Sequence, residues 1–134
     1  MEKTIVLNDL KNPSDLFRLR DYIRELYEFL DSRLITVTFS ATPTFDCDIS
    51  DTFLITLTAN VTGVIIKNAF KGKRITVIFK QDGTGGRTVA GWAANVKLAG
   101  AAAIGNDGAN EYGTLTLIYD GTNWVEICRT SDVK

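Results

Sequence analysis

At Leu34 the hydrophobic period of this chain changes from three-to-four residues to two, and that switch divides it into a helix and a β-domain. Before the switch, Leu16, Leu19, Ile23, Leu26 and Leu30 form an a/d seam, with Leu16, Ile23 and Leu30 at a and Leu19 and Leu26 at d. Asn12 as cap, Pro13 at the first helical position and Asp15 near the positive end of the dipole predict where the helix begins. The expected helix covers 13–33, preceded by an extended segment over 1–12. Arg18, Asp21, Arg24, Glu25, Glu28 and Asp31 lie opposite the seam as a solvated face. Tyr22 and Phe29 fall at g and Tyr27 at e, which widens the apolar stripe. Such a helix can pack on its own β-domain or pair with copies of itself. The wide stripe suits a bundle of three or more helices, which makes the five seam residues the candidates for oligomerisation.

From Leu34 onward, alternation predicts strands at 34–39, 53–58, 75–79, 114–119 and 124–128, with shorter ones at 64–66, 88–92 and 96–98. Threonine dominates the outward positions, a β-former that leaves no sticky surface. Asp120-Gly121-Thr122-Asn123 reads as a hairpin turn, because Asp-Gly tolerates positive φ. Gln81 to Arg87 reads as a longer loop, and 98–113 as an irregular stretch rich in small residues. Many short strands and no second helix predict a mainly β domain over 34–134. The expected architecture is a small antiparallel β-sandwich or jelly-roll-like fold.

A chain of 134 residues holds one domain of ordinary size. Its formal net charge is -1, with 15 Lys and Arg against 16 Asp and Glu, so it lacks the basic excess of a nucleic-acid binder. Lys71-Gly72-Lys73-Arg74, the densest basic cluster, reads as a charged turn between strands. The chain contains no histidine, which removes the commonest general base, metal ligand and pH switch together. Its two cysteines, Cys47 and Cys128, cannot build a zinc site, and two reduced thiols are expected. The N-terminus has no apolar leader and no run approaches 18 apolar residues, so synthesis in the cytoplasm without a membrane span is the expectation.

The candidate chemistry is thin. Gly83-Thr84-Gly85-Gly86 has the glycines of a phosphate loop but runs into a strand rather than opening a helix. Asp46, Asp48 and Asp51 offer oxygens to a cation without the spacing of a calcium loop, as do the acids of Asn106 to Glu111. Trp92, Tyr112 and Trp124 are candidates for ligand binding as a sugar-stacking platform, with core packing as the default for each. No nucleophile has an activating partner, so the sequence predicts no enzyme, no cofactor and no metal.

Three runs carry a resemblance: Gly72-Lys73-Arg74-Ile75-Thr76-Val77-Ile78, Gln81-Asp82-Gly83-Thr84-Gly85-Gly86-Arg87-Thr88-Val89, and Ile118-Tyr119-Asp120-Gly121-Thr122-Asn123-Trp124. Together with Leu57 to Val61 and Trp92 to Lys97 between them, they resemble a module of phage virion proteins found in tail fibres, head fibres and capsid decoration proteins. The resemblance spans about residues 53–126 and excludes the helix. It implies a homotrimeric β-domain displayed on a virion, without enzymatic activity. Its implied partners are further copies of itself and capsid or tail proteins. A host cell-surface glycan is the alternative partner; nucleic acid and membrane are not expected.

Overall fold

The computed structural model describes residues 13–30, 33–100, 104, 105 and 107–134, with helix side chains described from Leu16 to Leu26. The chain divides into two units, one ending at Ser32 and one running from Arg33 to Lys134. In the first, Pro13–Leu30 forms the helix α1. The expected extended segment, the Asn12 cap, and Asp31 and Ser32 lie outside the described residues. Asp21 takes ion pairs from Arg20 and Arg24, both at 3.6 Å, on the polar side of α1.

The second unit contains ten strands: β1 (Leu34–Val37), β2 (Thr44–Asp46), β3 (Thr52–Leu57), β4 (Ile65–Lys67), β5 (Arg74–Gln81), β6 (Thr88–Val89), β7 (Val96–Lys97), β8 (Ile104–Gly105), β9 (Tyr112–Tyr119) and β10 (Trp124–Val133). The predicted antiparallel sandwich or jelly roll is not what these strands build. β1 pairs with β3, β3 with β5, and β2 with β4, each in parallel register. Successive passes of the chain therefore stack as the coils of a β-solenoid-like body. The corners stack as well: Thr62 N donates to Ala41 O at 2.9 Å, Ile65 N to Pro43 O at 3.0 Å, and Ala90 N to Val61 O at 3.0 Å. A parallel bridge between Val61 and Val89 continues the stack into the third coil. Antiparallel strands appear only after that, where β9 pairs with β5 and β10 with β9. The main sheet runs β1-β3-β5-β9-β10-β7, and β6 pairs antiparallel with β8.

Burial explains why this arrangement holds. Phe53, Ile55 and Leu57 of β3 stack beneath Ile75, Val77 and Phe79 of β5, and all six are buried. Leu115 and Leu117 of β9 and Trp124 of β10 extend the same core. Phe45 of β2 closes it from the facing side, with its ring centroid 5.3 Å from that of Phe53. Chain reversal between coils demands close approach. Gly91 has φ +74°, and a Cβ there would lie 1.8 Å from the carbonyl oxygen of Thr62. Ile49 is exposed on the turn after β2, while Cys47 is buried.

Candidate functional site

The polar runs resolve into turns. The inward alternation Ile75, Val77, Phe79 ends on Gln81, a fully buried amide. Its Nε2 donates to Arg87 O and its Oε1 accepts from Arg87 N, both at 2.8 Å, so one side chain grips both sides of one residue's backbone. Asp82 fills the loop between them. Its Oδ1 accepts from Thr84 N at 3.0 Å and Gly85 N at 2.9 Å, and its Oδ2 takes Arg87 Nη2 at 3.0 Å. The hydrogen bond from Arg87 is the main reason the Asp82 carboxyl lies below its ordinary value. A carboxylate at the centre of the glycine loop repels phosphate, and the loop leads directly into β6.

The second run works the same way. Asp120 Oδ1 accepts from Asn123 N at 2.7 Å and Thr122 N at 2.8 Å, and these bonds lower its pKa. Gly121 turns the hairpin at φ +105°. Trp124 then enters the core, its ring centroid 5.1 Å from that of Tyr119.

Most of the candidate cation ligands are occupied by the protein itself, although the buried Oδ2 of Asp107 has no hydrogen-bond partner among the described residues. Asp46 accepts from Asn68 Nδ2 at 2.7 Å and Asp48 N at 3.0 Å, and Lys67 Nζ stands at 3.5 Å. Asp51 accepts from the Thr52 hydroxyl. In the second acidic loop, buried Asp107 takes Asp132 N at 2.7 Å on Oδ1, and Glu111 takes Gly108 N at 2.8 Å. Among the described residues no cluster of three or more acids or cysteines is placed to hold a metal ion. Both cysteines are free thiols, Cys47 buried and Cys128 exposed. Burial pushes the Cys47 thiol up to about 11.

The three aromatic candidates do not meet. Trp124 is 2 % exposed on the inward side of β10. Trp92 is half-buried against the core, with its indole N–H lacking a partner among the described residues. Tyr112 projects from the opposite, outer face of the sheet, with Lys80 Nζ 5.6 Å from its ring centroid.

The seam of α1 is open in the single chain. Leu16, Ile23 and Leu26 are 63 %, 43 % and 42 % exposed, and Leu19 is half-buried. The Leu30 side chain lies outside the described residues. Phe17, which the seam does not include, is also exposed beneath the Arg20 guanidinium.

The sheet carries a second surface that no linear motif reveals. Register aligns its outward side chains in rows: Leu34, Thr52, Thr76, Thr116 and Cys128 form one, and Thr36, Leu54, Ile78, Thr114 and Thr130 the next. Thr56, Lys80, Tyr112 and Val133 lie on one flank, and Arg74, Ile118 and Val125 on the other. Threonine hydroxyls pair across the strands, Thr76 with Thr116 at 3.0 Å and Thr114 with Thr130 at 2.7 Å. No carboxylate occupies any of these seventeen positions.

Residues 36–124 match a family model described as "Putative phage tail fibre C-terminal domain". The match contains the Gln81–Arg87 clamp, the Asp120 turn and the whole stack from β2 to β9. Comparison with curated proteins gives no match.

Proposed function

The chain belongs to the phage tail fibre C-terminal domain family, which makes it part of a virion, and from that premise we propose that it is a non-enzymatic structural module of a short tail fibre. One observation carries the structural role: the polar side chains that define the family-like runs, Gln81, Asp82, Arg87 and Asp120, are all occupied in holding backbone turns. In an enzyme some of them would face a substrate. Tail placement accords with the family better than a head-fibre or capsid-decoration position does.

The module is a homotrimer joined through Leu16, Leu19, Ile23, Leu26 and Leu30. An apolar stripe left exposed on a helix of 18 residues is marginal in water and gains stability by burial against copies of itself. Light scattering on the full chain tests this reading. A trimer mass is expected, falling to monomer when Ile23 and Leu26 are both replaced by Asp; a wild-type monomer at micromolar concentration overturns it.

Host-glycan binding is the second reading, favoured by the half-exposed rings of Trp92 and Tyr112. Because the two lie on opposite sides of the sheet, each acts alone. A glycan array run with Trp92→Ala and Tyr112→Ala proteins separates this reading from the first.

A further inference from the structure

We propose that Asp107 and the main-chain carbonyl of Thr130 hold a structural calcium ion, which ties the loop over 107–111 to the bulged end of β10. The inference stands apart from the helix seam and from any role on the virion. Asp107 is 2 % exposed. Its Oδ1 accepts from Asp132 N at 2.7 Å, whereas its Oδ2 is buried and has no hydrogen-bond partner among the described residues. An ionised carboxylate removed from water is costly unless a positive group meets it. Oδ2 is turned towards Gly113, a buried position of β9 that faces Phe79 of β5. A Cβ on Gly113 would lie 2.8 Å from Oδ2 and 3.2 Å from Thr130 O, so a carboxylate oxygen and a carbonyl oxygen converge where β9 omits a side chain.

Charge balance selects a cation. The 107–111 loop is joined to the 82–86 loop, with Gly86 N donating to Asp107 O at 2.8 Å and Asn110 N to Asp82 O at 2.9 Å. The nearby cations are already engaged, Arg87 by Asp82 at 3.0 Å and Lys134 by Glu111 at 3.4 Å. Neither is left for Asp107 or for Asp132, whose carboxyl reaches that of Glu111. A water would satisfy the two oxygens and leave the charge of Asp107 uncompensated. Both donors are oxygens, which suits a hard cation. Calcium tolerates an irregular oxygen shell completed by water, whereas magnesium demands a near-ideal octahedron. The second donor comes from β10, where the register shifts between Thr130 and Val133 and Asp132 stands at φ +53°. A carboxylate from one segment and a carbonyl from another need no cluster of acids, and no linear calcium motif marks them.

Thermal melts of the full chain, stripped with EDTA and then given calcium chloride, test the site. With calcium at ~100 times its Kd, the melting temperature is expected to rise by about 5 °C or more, and titration calorimetry to give one ion per chain. Magnesium at the same ionic strength is expected to give a much smaller rise. Asp107→Asn is expected to abolish the calcium response while far-UV circular dichroism is unchanged, and Asp48→Asn, in the exposed turn after β2, to keep it. If Asp107→Asn does not fold, Gly113→Ala gives the same readout, because its methyl fills the point on which the two oxygens converge. An equal rise with magnesium, or a calcium response that survives in these variants, reports screening of surface acids and overturns the proposal. A wild-type chain that ignores calcium overturns it too, and a proton on Oδ2 then takes the place of the ion.

Discussion

Gln81 shows how much one buried polar side chain can organise. Replacing it by Leu keeps the volume but leaves the N–H and C=O of Arg87 without partners in a closed environment, a loss of about 2–4 kcal/mol. Urea denaturation of Gln81→Leu measures it, and a midpoint equal to that of wild type rejects the clamp. The position was legible in outline: two-residue alternation from Ile75 carries through to Gln81 as an inward residue. Its polarity made it read as the start of a loop, because a buried amide is recognisable only once its backbone partners are known. The depressed carboxyls give a second prediction at this scale. Asp82 and Asp120 are held below their ordinary 3.8 by the bonds they accept. Groups with lowered folded-state values stabilise the fold above the unfolded value and lose that contribution as pH falls through the folded one. The melting temperature is therefore expected to be level down to about pH 5 and to drop below about pH 4. Asp82→Asn and Asp120→Asn should both start lower and show a shallower acid limb; an unchanged limb would exclude these turns as its origin.

Each element was easier to locate than to orient. The helix followed from its seam and from Pro13, and the five long strands from alternation, since both patterns record which side of an element faces apolar neighbours. Direction left no such record: Phe53, Ile55 and Leu57 alternate identically whether the next strand runs with them or against them. The coils are also unequal, with Leu34 facing Thr52 and Thr52 facing Thr76, so no repeat of fixed length announces a stack. β2 and β8, at three and two residues, are too short to show a period, and β8 falls within the stretch that read as irregular. The corners between coils are where substitution is most restricted. Gly91→Ala places a methyl into the Thr62 carbonyl, whereas Gly83 has open space around its Cα. Gly91→Ala is expected to lower the melting temperature by well over 5 °C, which corresponds to more than ~1 kcal/mol for a domain of this size, and Gly83→Ala to leave it nearly unchanged. Equal effects at the two positions would contradict the tight stacking of the corners.

At the scale of the whole molecule, the α1 seam and the outer face of the sheet differ in how the sequence encodes them. The α1 seam is a linear pattern within 15 residues, Leu16 to Leu30, and was legible. The sheet face draws one row from Leu34, Thr52, Thr76, Thr116 and Cys128, positions that come together only through the register. The same holds for the aromatic candidates, because the sequence fixes no side of the sheet for Trp92 relative to Tyr112 until strand order is known.

The pairing of β5 with β9 has a further consequence, in time rather than space. Arg74 faces Ile118 and Lys80 faces Tyr112, so the central strands of the sheet join only after a long stretch of chain has closed on itself. Non-local pairings of this kind place folding in the ms–s range rather than the μs range. During that interval the edge of β5 lacks the strand that completes the sheet. Stopped-flow refolding should show this slow phase, and yield should fall as chain concentration rises during refolding. For a virion component, the edge of β5 that β9 finally covers is thus the one most exposed to wrong partners while the chain is unfinished.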